Sequence, residues 1–171
     1  MDIRFKKLVP EAKLPTQGKP GDAAFDLYCV EDFKLHAGET RAVTTGLQLA
    51  DFPPTLSGEG SSIFLQIEGR SGLALKGVFP LGGIIDATYR GEIKVILHNG
   101  NLPPNLFGPA ATTLWPFVNP GHIEFKAGDR IAQLLVRKIV TNDWLHKVNM
   151  VEATEITETT RGSAGFGSTG A

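Results

Sequence analysis

Several features that define other protein classes are scarce or absent in this 171-residue sequence. It contains one cysteine, Cys29, so the chain offers no internal disulfide and no cysteine-based zinc site. No run of apolar residues approaches the length that spans a bilayer. The formal net charge of -1 excludes a broad electrostatic field for nucleic acid or an acidic membrane. Any binding of anions must therefore be local.

The histidines are few and scattered. They lie at positions 36, 98, 122 and 146, without the spacing of metal ligands, so the sequence predicts no zinc site. Residues 1–7 contain no apolar stretch of signal-peptide length. We therefore expect the protein in the cytoplasm, or in the host cytoplasm if it is viral. We expect neither a membrane nor a nucleic acid among its partners.

Amphipathic helix patterns are rare as well, and short β-rich segments take their place. Twenty glycines and eleven prolines punctuate the chain, and β-branched residues are frequent between them. Strands are predicted at 41–49, 63–68, 92–98 and 130–140, and one or two helical turns at 71–76. The sequence therefore predicts a single all-β domain over residues 1–160, built as a sandwich, jelly roll or barrel.

Two long loops interrupt this pattern, at 51–62 and 100–121. Loops of more than about a dozen residues are usually functional or disordered. The second loop contains Phe107, Trp115 and Phe117, which is too much apolar surface for a solvated linker. We expect it to pack on the domain or to bind a partner protein.

Residues 161–171 form a glycine-rich segment with Arg161 at its start and Phe166 in its middle. Glycines let backbone N–H groups close round an anion, and Arg161, Ser168 and Thr169 add donors. The segment therefore predicts a phosphate-binding arm that is mobile until a ligand orders it. A plain flexible tail is the alternative. A dinucleotide fingerprint would need a following helix, and a P-loop would need a lysine.

Four further motifs combine glycine with polar side chains. They are Gly-Asp-Ala-Ala-Phe-Asp-Leu at 21–27, Gly-Arg-Ser-Gly-Leu-Ala at 69–74, Gly-Ile-Ile-Asp-Ala-Thr-Tyr-Arg-Gly-Glu at 83–92, and Gly-Asp-Arg-Ile-Ala-Gln-Leu at 128–134. With the terminal arm as the fifth, and in this order, they resemble the motifs of the homotrimeric dUTPases. Five motifs in register make the resemblance specific, and they bracket nearly the whole chain.

The resemblance implies a jelly-roll subunit and a homotrimer. Three subunits would assemble each active site, and a neighbour would supply the arm at 161–171. Cyclic assemblies of this kind are physically ordinary. The implied activity is Mg²⁺-assisted hydrolysis of dUTP to dUMP and pyrophosphate, which limits uracil in DNA and supplies dUMP for thymidylate synthesis.

Two residues would carry the chemistry. Asp86 lies next to Ile85 and near Tyr89, so we expect its carboxylate in a partly desolvated pocket, as a general base needs. The resemblance implies that Asp86 deprotonates the water that attacks the α-phosphate, whereas an Asx turn is the structural alternative. The resemblance places Gln133 near the same water and phosphate; otherwise its amide bonds across the sheet.

Other residues would bind parts of the nucleotide. Arg70, Ser71 and Gly72 offer a guanidinium, a hydroxyl and an open N–H to the triphosphate. A capped turn at the start of 71–76 is the structural interpretation, and both can hold at once. By resemblance, the Tyr89 ring lies against C2′ and excludes a ribose hydroxyl, and Phe166 stacks on the base. The remaining expected contacts are the backbone at 81–85 for uracil, which includes Gly83, Ile84 and Ile85, the side chain of Lys94 for a phosphate or the sugar, and Gly167 in the arm.

Asp26 has two interpretations. In the strand-like segment 25–27 it is most simply part of a solvated face. A triphosphate normally arrives with Mg²⁺, which keeps most of its waters. By resemblance, Asp26 holds those waters while the triphosphate holds the ion.

The chain departs from the family pattern at Ala24, Phe25 and Gly69, where glycine, tyrosine or leucine, and proline are usual. These departures bear on backbone detail rather than on the chemistry. A dCTP deaminase is the related alternative, but it would need a glutamate where this chain has Ile96. A regulatory protein, with the nucleotide site as a sensor and the loop at 100–121 as a partner surface, is the alternative from a different class.

Overall fold

The computed structural model describes residues 2–51, 62–102 and 122–139. Its strands are β1 Arg4–Lys7, β2 Phe25–Tyr28, β3 Phe33–His36, β4 Thr40–Asp51, β5 Ser62–Glu68, β6 Val78–Leu81, β7 Ile84–Ile85, β8 Glu92–Asn99, β9 His122–Phe125 and β10 Arg130–Ile139. One helical turn, α1, spans Ser71–Ala74. In the described residues no helix is long and apolar enough to cross a membrane. The all-β prediction is confirmed.

The strands form two four-stranded antiparallel sheets and a two-stranded ribbon. The sheets have the orders β1-β4-β8-β6 and β2-β10-β5-β7, and β3 pairs with β9. Along β8 the side chains of Ile93, Val95 and Leu97 are buried while those between them are more exposed, which is the period of a strand with one buried face. One hydrophobic cluster takes buried side chains from both sheets, so the sheets enclose a single core.

The four strands predicted from the sequence are the four longest strands, β4, β5, β8 and β10. The helical turn predicted within 71–76 is also present. Strands β1, β3, β6, β7 and β9 were not predicted, because a segment of four residues or fewer contains too little alternation and its conformation depends on its neighbours. Residues 52–61 and 103–121 and the arm at 161–171 lie outside the described residues. The loops, the domain boundary at 160 and the arm therefore remain predictions.

A β-bulge at Gly46 distorts the pairing of β4 with β8. The register between these strands shifts between Thr44 and Leu47. Gly46 has φ of 65°, in the left-handed region that favours glycine. A Cβ at this position would also lie only 2.8 Å from a methyl carbon of Val9. The neighbouring Thr45 hydroxyl donates to the carbonyl of Ile93 at 2.6 Å, which fixes the bulge to β8.

Cys29 is a buried core residue. Its thiol donates to the carbonyl of Lys126 at 3.1 Å. Burial raises the pKa of the Cys29 thiol above its ordinary value. The thiol is therefore kept protonated and unreactive, as a structural cysteine is.

We predict that Gly46→Ala lowers the free energy of unfolding by about 2–4 kcal/mol, because it combines left-handed strain with overpacking against Val9. Urea unfolding followed by circular dichroism measures the loss. Gly38→Ala is the matched control, because Gly38 has φ of 76° but nothing within 4 Å of a Cβ. It should lose only the strain, about 1–2 kcal/mol. Equal losses in both variants would contradict the packing argument.

Candidate active site

An open cavity of about 510 Å³ lies where the two large sheets approach each other at β7 and β8. Its lining comes from both sheets and from the turn between these strands. The lining residues are Ala42, Ile67, Gly82, Ile84, Ile85, Asp86, Tyr89, Glu92, Ile93, Lys94 and Ile96. The cavity therefore brings together six residues that the sequence assigned to a site: Gly82, Ile84, Ile85, Asp86, Tyr89 and Lys94.

The backbone of β7 forms one edge of this cavity. Among the described strands β7 is the last of its sheet, paired on one side only, with β5. An edge strand leaves a row of N–H and C=O groups unpaired. The preceding Gly83 is held close to β5, because its carbonyl accepts the Ile67 N–H at 2.7 Å and a Cβ on it would collide with the Ile67 backbone. The fold therefore fixes an open backbone edge beside a cavity, with the Ile84 side chain 70% exposed.

Asp86 begins the turn that follows β7. The turn is closed by the backbone, because the Tyr89 N–H donates to the Asp86 carbonyl at 3.0 Å. Among the described residues the Asp86 carboxylate has no hydrogen-bond partner, so the Asx-turn interpretation is not supported. Asp86 is exposed in this single chain. The expectation of a partly desolvated carboxylate is therefore wrong for the subunit alone, since its apolar sequence neighbours do not cover it.

The Tyr89 ring stands at the rim of the cavity and is 44% exposed. Its hydroxyl donates to the backbone carbonyl of Glu92 at 3.1 Å. Lys94, on β8, has its ammonium 3.7 Å from the Glu92 carboxylate, in a loose pair whose lysine side chain is 47% exposed and whose glutamate side chain is 22% exposed. Such a pair contributes little to stability, and it leaves the lysine available to a stronger anion.

A second group of predicted residues lies outside the lining of the cavity. Asp26 on β2 is only 7% exposed, so the solvated-face interpretation is wrong. One of its carboxylate oxygens accepts from Arg70 Nε at 3.1 Å, and the other lies 3.4 Å from a terminal nitrogen of Arg130. Arg70 also donates through a terminal nitrogen to the Arg130 carbonyl at 3.2 Å. A buried carboxylate thus holds two guanidinium groups in one place.

Three more predicted residues lie near this cluster in the fold. Gln133 is half-buried on β10, directly opposite Asp26 on one side and Glu68 on the other. Ser71 and Gly72 form the first residues of α1, and both are exposed. Arg70 is the N-cap residue of α1, but its side chain makes no cap hydrogen bond. The capped-turn alternative is therefore not supported, and the Arg70 side chain turns to Asp26 instead.

The expected arm residues Arg161, Phe166, Gly167, Ser168 and Thr169 lie outside the described residues. The sequence analysis did not assign a role to three residues that contact the predicted site residues in the structure: Arg130, Glu92 and Gly91. Arg130 lies within the fourth motif, and a basic residue close to Gln133 was a usable signal. Glu92 and Gly91 lie within the third motif, but their contacts with Tyr89 and β4 carry no signal in one sequence.

The described residues do not fit a protein-held magnesium site. They contain no group of three or more histidine, cysteine, aspartate or glutamate residues that could hold a metal ion. Mg²⁺ prefers free carboxylate oxygens and water, whereas both oxygens of Asp26 face guanidinium groups. A cation at Asp26 would have to compete with two arginines.

We predict that Asp26→Asn lowers the free energy of unfolding by about 1–3 kcal/mol, because the amide leaves two guanidinium groups without a countercharge. Asp32→Asn is the matched control, since Asp32 also pairs with a basic side chain, Lys126, but on the exposed surface. Its loss should be clearly smaller. A chemical-denaturation series measures both, and the reverse order would contradict the importance of burial.

Comparison with known proteins identifies the family. The dUTPase family profile matches residues 10–102 and 116–170. The deoxyuridine 5'-triphosphate nucleotidohydrolase of Arabidopsis thaliana is 38% identical over 169 residues, which are 98% of this chain and 82% of that protein.

Solved structures share the fold. The dUTPase of Staphylococcus bacteriophage 80alpha, solved with dUPNHPP, has a TM-score of 0.72 at 23% identity and covers 99% of each chain. A mutant dUTPase from phage phi11 of S. aureus, described with a structural Mg(II) ion, has a TM-score of 0.68 at 22% identity, over 91% of this chain and 100% of that one. These likenesses support the predicted jelly-roll fold. From its family profile and its curated relatives, this chain belongs to the dUTPase family.

Proposed function

We propose that the protein hydrolyses dUTP to dUMP and pyrophosphate. The observation that carries this proposal is the cavity, which is lined by an open backbone edge, an aromatic ring and a carboxylate that has no hydrogen-bond partner among the described residues. Each fits one part of the substrate: a flat base, a sugar, and the water that attacks the α-phosphate. The family to which the chain belongs supports the same activity.

Recognition of the base and the sugar would use the two rigid walls of the cavity. The unpaired backbone groups of β7 can pair with the N–H and C=O groups of uracil, as an added strand pairs with a sheet edge. The Tyr89 ring, close to the Glu92 backbone, would occupy the space that a 2′-hydroxyl needs. This arrangement selects a deoxyribonucleotide without a dedicated hydrogen bond to the sugar.

Asp86 would act as the general base. A general base needs hydrogen-bond reach to the water that it deprotonates. Asp86 lines the cavity, and its carboxylate has no competing partner in the described residues. Gln133 would orient the same water or the α-phosphate. Because Asp86 is exposed in the single chain, another element must cover it before its surroundings become dry.

Positive groups would stabilise the charge that develops on the phosphates. Arg70 uses Nε and one terminal nitrogen to bind Asp26 and the Arg130 carbonyl. Its other terminal nitrogen has no partner in the part of the chain that the structure describes and could bind a phosphate. Ser71 and Gly72 add a hydroxyl and a backbone N–H at the start of α1. Lys94 lines the cavity and can turn from Glu92 to a phosphate. Arg161 would arrive with the arm.

The active site is proposed to form in a homotrimer. Within one chain the predicted residues fall into two groups, the cavity around Asp86 and the cluster around Arg70, and the second group does not line the cavity. A trimer would place the cluster of one subunit against the cavity of the next, and the arm of a neighbour would close it. Leu75 and Phe79 are large apolar side chains that this subunit leaves exposed, as interface residues are.

We propose that Mg²⁺ enters the site bound to the substrate. The triphosphate would hold the ion, and Asp26 could contact its waters only if an arginine moved aside. We assign no step of the reaction to the ion. A cytoplasmic location also remains a proposal. So does a protein partner at 100–121, because residues 103–121 of that loop lie outside the described residues.

The proposed activity is tested by pyrophosphate release from dUTP beside dTTP, dCTP and UTP. We predict turnover of dUTP well above that of the other three, because the base edge and the Tyr89 ring act on different parts of the nucleotide. Equal rates with all four, or none with dUTP, would contradict the proposed function.

For Asp86→Asn we predict normal folding and dUTP binding but a loss of turnover of about 10²–10⁴-fold, because an amide cannot accept the proton of water. Steady-state kinetics and calorimetric binding separate the two effects. Glu11→Gln is the matched control, an exposed acid-to-amide change away from the cavity, and should keep wild-type turnover. Near-normal turnover of Asp86→Asn would contradict the role of Asp86 as the general base.

Mixed trimers test the shared site. We predict that deletion of residues 161–171 and Asp86→Asn are each nearly inactive alone but regain activity when the two chains are mixed. The reason is that some sites would then combine an intact base with an intact arm from another chain. Subunit exchange is verified by mass spectrometry. Exchange without recovered activity would mean that each chain closes its own site.

A further inference from the structure

Gly91 lies against the far end of the Tyr89 ring, which leaves no space for a side chain. A Cβ at Gly91 would lie 2.5 Å from the Tyr89 Cζ, 2.9 Å from Cε2 and closer still to the hydroxyl oxygen. The three atoms nearest to that Cβ all belong to the Tyr89 ring and its hydroxyl. The backbone of Gly91 is not in the left-handed region, so its conformation does not require glycine. Gly91 therefore provides the space that the Tyr89 ring occupies.

The ring is also tethered at its far end. The Tyr89 hydroxyl donates to the Glu92 carbonyl at 3.1 Å, and the Tyr89 backbone N–H donates to the Asp86 carbonyl at 3.0 Å. The first bond holds the far end of the ring and the second holds the backbone that carries it, while Gly91 leaves room for the far end of the ring. A ring held in this way can exclude a small group by contact, whereas a ring that rotates freely cannot.

The turn that carries the ring is braced by β4. The Glu92 carboxylate accepts the N–H of Gly46 at 3.0 Å, and that N–H points towards Glu92 because of the bulge. The Gln48 amide donates to the Arg90 carbonyl. The Arg90 guanidinium closes the turn from within, with bonds of 2.8 and 2.9 Å to the carbonyls of Ala87 and Tyr89. The position of the Tyr89 ring thus depends on a bulge in another strand.

We propose that Gly91 and Glu92 are positioning residues that set the selectivity of the site for deoxyribose over ribose. This inference rests on the proposed function and deepens it, since it names the residues that hold Tyr89 where a 2′-hydroxyl would lie. A methyl group at Gly91 displaces the ring and breaks the bond to the Glu92 carbonyl. The untethered ring then no longer excludes the hydroxyl.

The test compares kcat/KM for UTP and for dUTP in the wild-type chain and in variants. Gly91→Ala should raise the UTP-to-dUTP ratio of kcat/KM by about 10–100-fold, approaching the ratio of Tyr89→Ala. Glu92→Ala should raise it by about 3–10-fold, because the carbonyl remains but the anchor to Gly46 is lost. Glu92→Gln keeps an acceptor for the Gly46 N–H and should restore nearly the wild-type ratio.

A double variant separates positioning from general damage. If Gly91 acts through the ring, Gly91→Ala should have no further effect on the ratio in a Tyr89→Ala background. Should Gly91→Ala alone fold poorly, Tyr89→Ala should restore its folding, because the colliding ring is gone. Gly38→Ala is the control for lost stability, since it strains the backbone with no contact to the ring. It should keep the wild-type ratio.

A crystal structure of Gly91→Ala provides a measurement that does not depend on activity. We expect the Tyr89 ring to be displaced and its hydroxyl separated from the Glu92 carbonyl. A ring in its original place, an unchanged ratio in an active Gly91→Ala enzyme, or additive effects in the double variant would overturn the inference. If the wild-type chain released no pyrophosphate from dUTP, the proposed function would be wrong instead.

Discussion

The pairing of β4 with β8, with its bulge at Gly46, is the constraint on which the candidate site depends. The bulge turns one backbone N–H towards the Glu92 carboxylate, and the Thr45 hydroxyl replaces a regular ladder bond by binding the Ile93 carbonyl. A regular ladder would leave the Glu92 carboxylate without this anchor. Bulges are frequent beside active sites because they redirect side chains without the loss of a strand. The position of the Tyr89 ring at the surface therefore depends on the bulge at Gly46 in the core.

The long strands were predictable from the sequence because each has enough residues to show its buried face. The alternation of Ile93, Val95 and Leu97 is an example. The two-residue strand β7 could not be predicted in this way, since its extended conformation comes from pairing with β5 and from the close approach of Gly83 to Ile67. That pairing joins residues distant in the sequence. Alternation reports which face of a strand is buried, but not which partner it meets.

The sequence predicted which residues belong to the candidate site, but not how deeply their side chains are buried. Family motifs named Asp86, Tyr89 and Arg70 as site residues. In the single chain, however, Asp86 is exposed where partial burial was expected, and Asp26 is buried where a solvated face was expected. Burial of a short side chain depends on what crosses over it, and for Asp26 this is the pair Arg70 and Arg130. The sequence around a residue does not contain that information, because these arginines come from other elements.

Selectivity and chemistry have different structural requirements in this fold. The Tyr89 ring, the β7 edge and their supports belong to one subunit, so in the proposed site the parts that discriminate among nucleotides would be in place before substrate arrives. The carboxylate proposed as the base is still open to water, and the guanidinium cluster lies apart from it. Exposure weakens electrostatic interactions, so catalysis gains most when other parts of the assembly cover the site. In the proposed homotrimer, each subunit would supply its own selectivity, while turnover would depend on assembly.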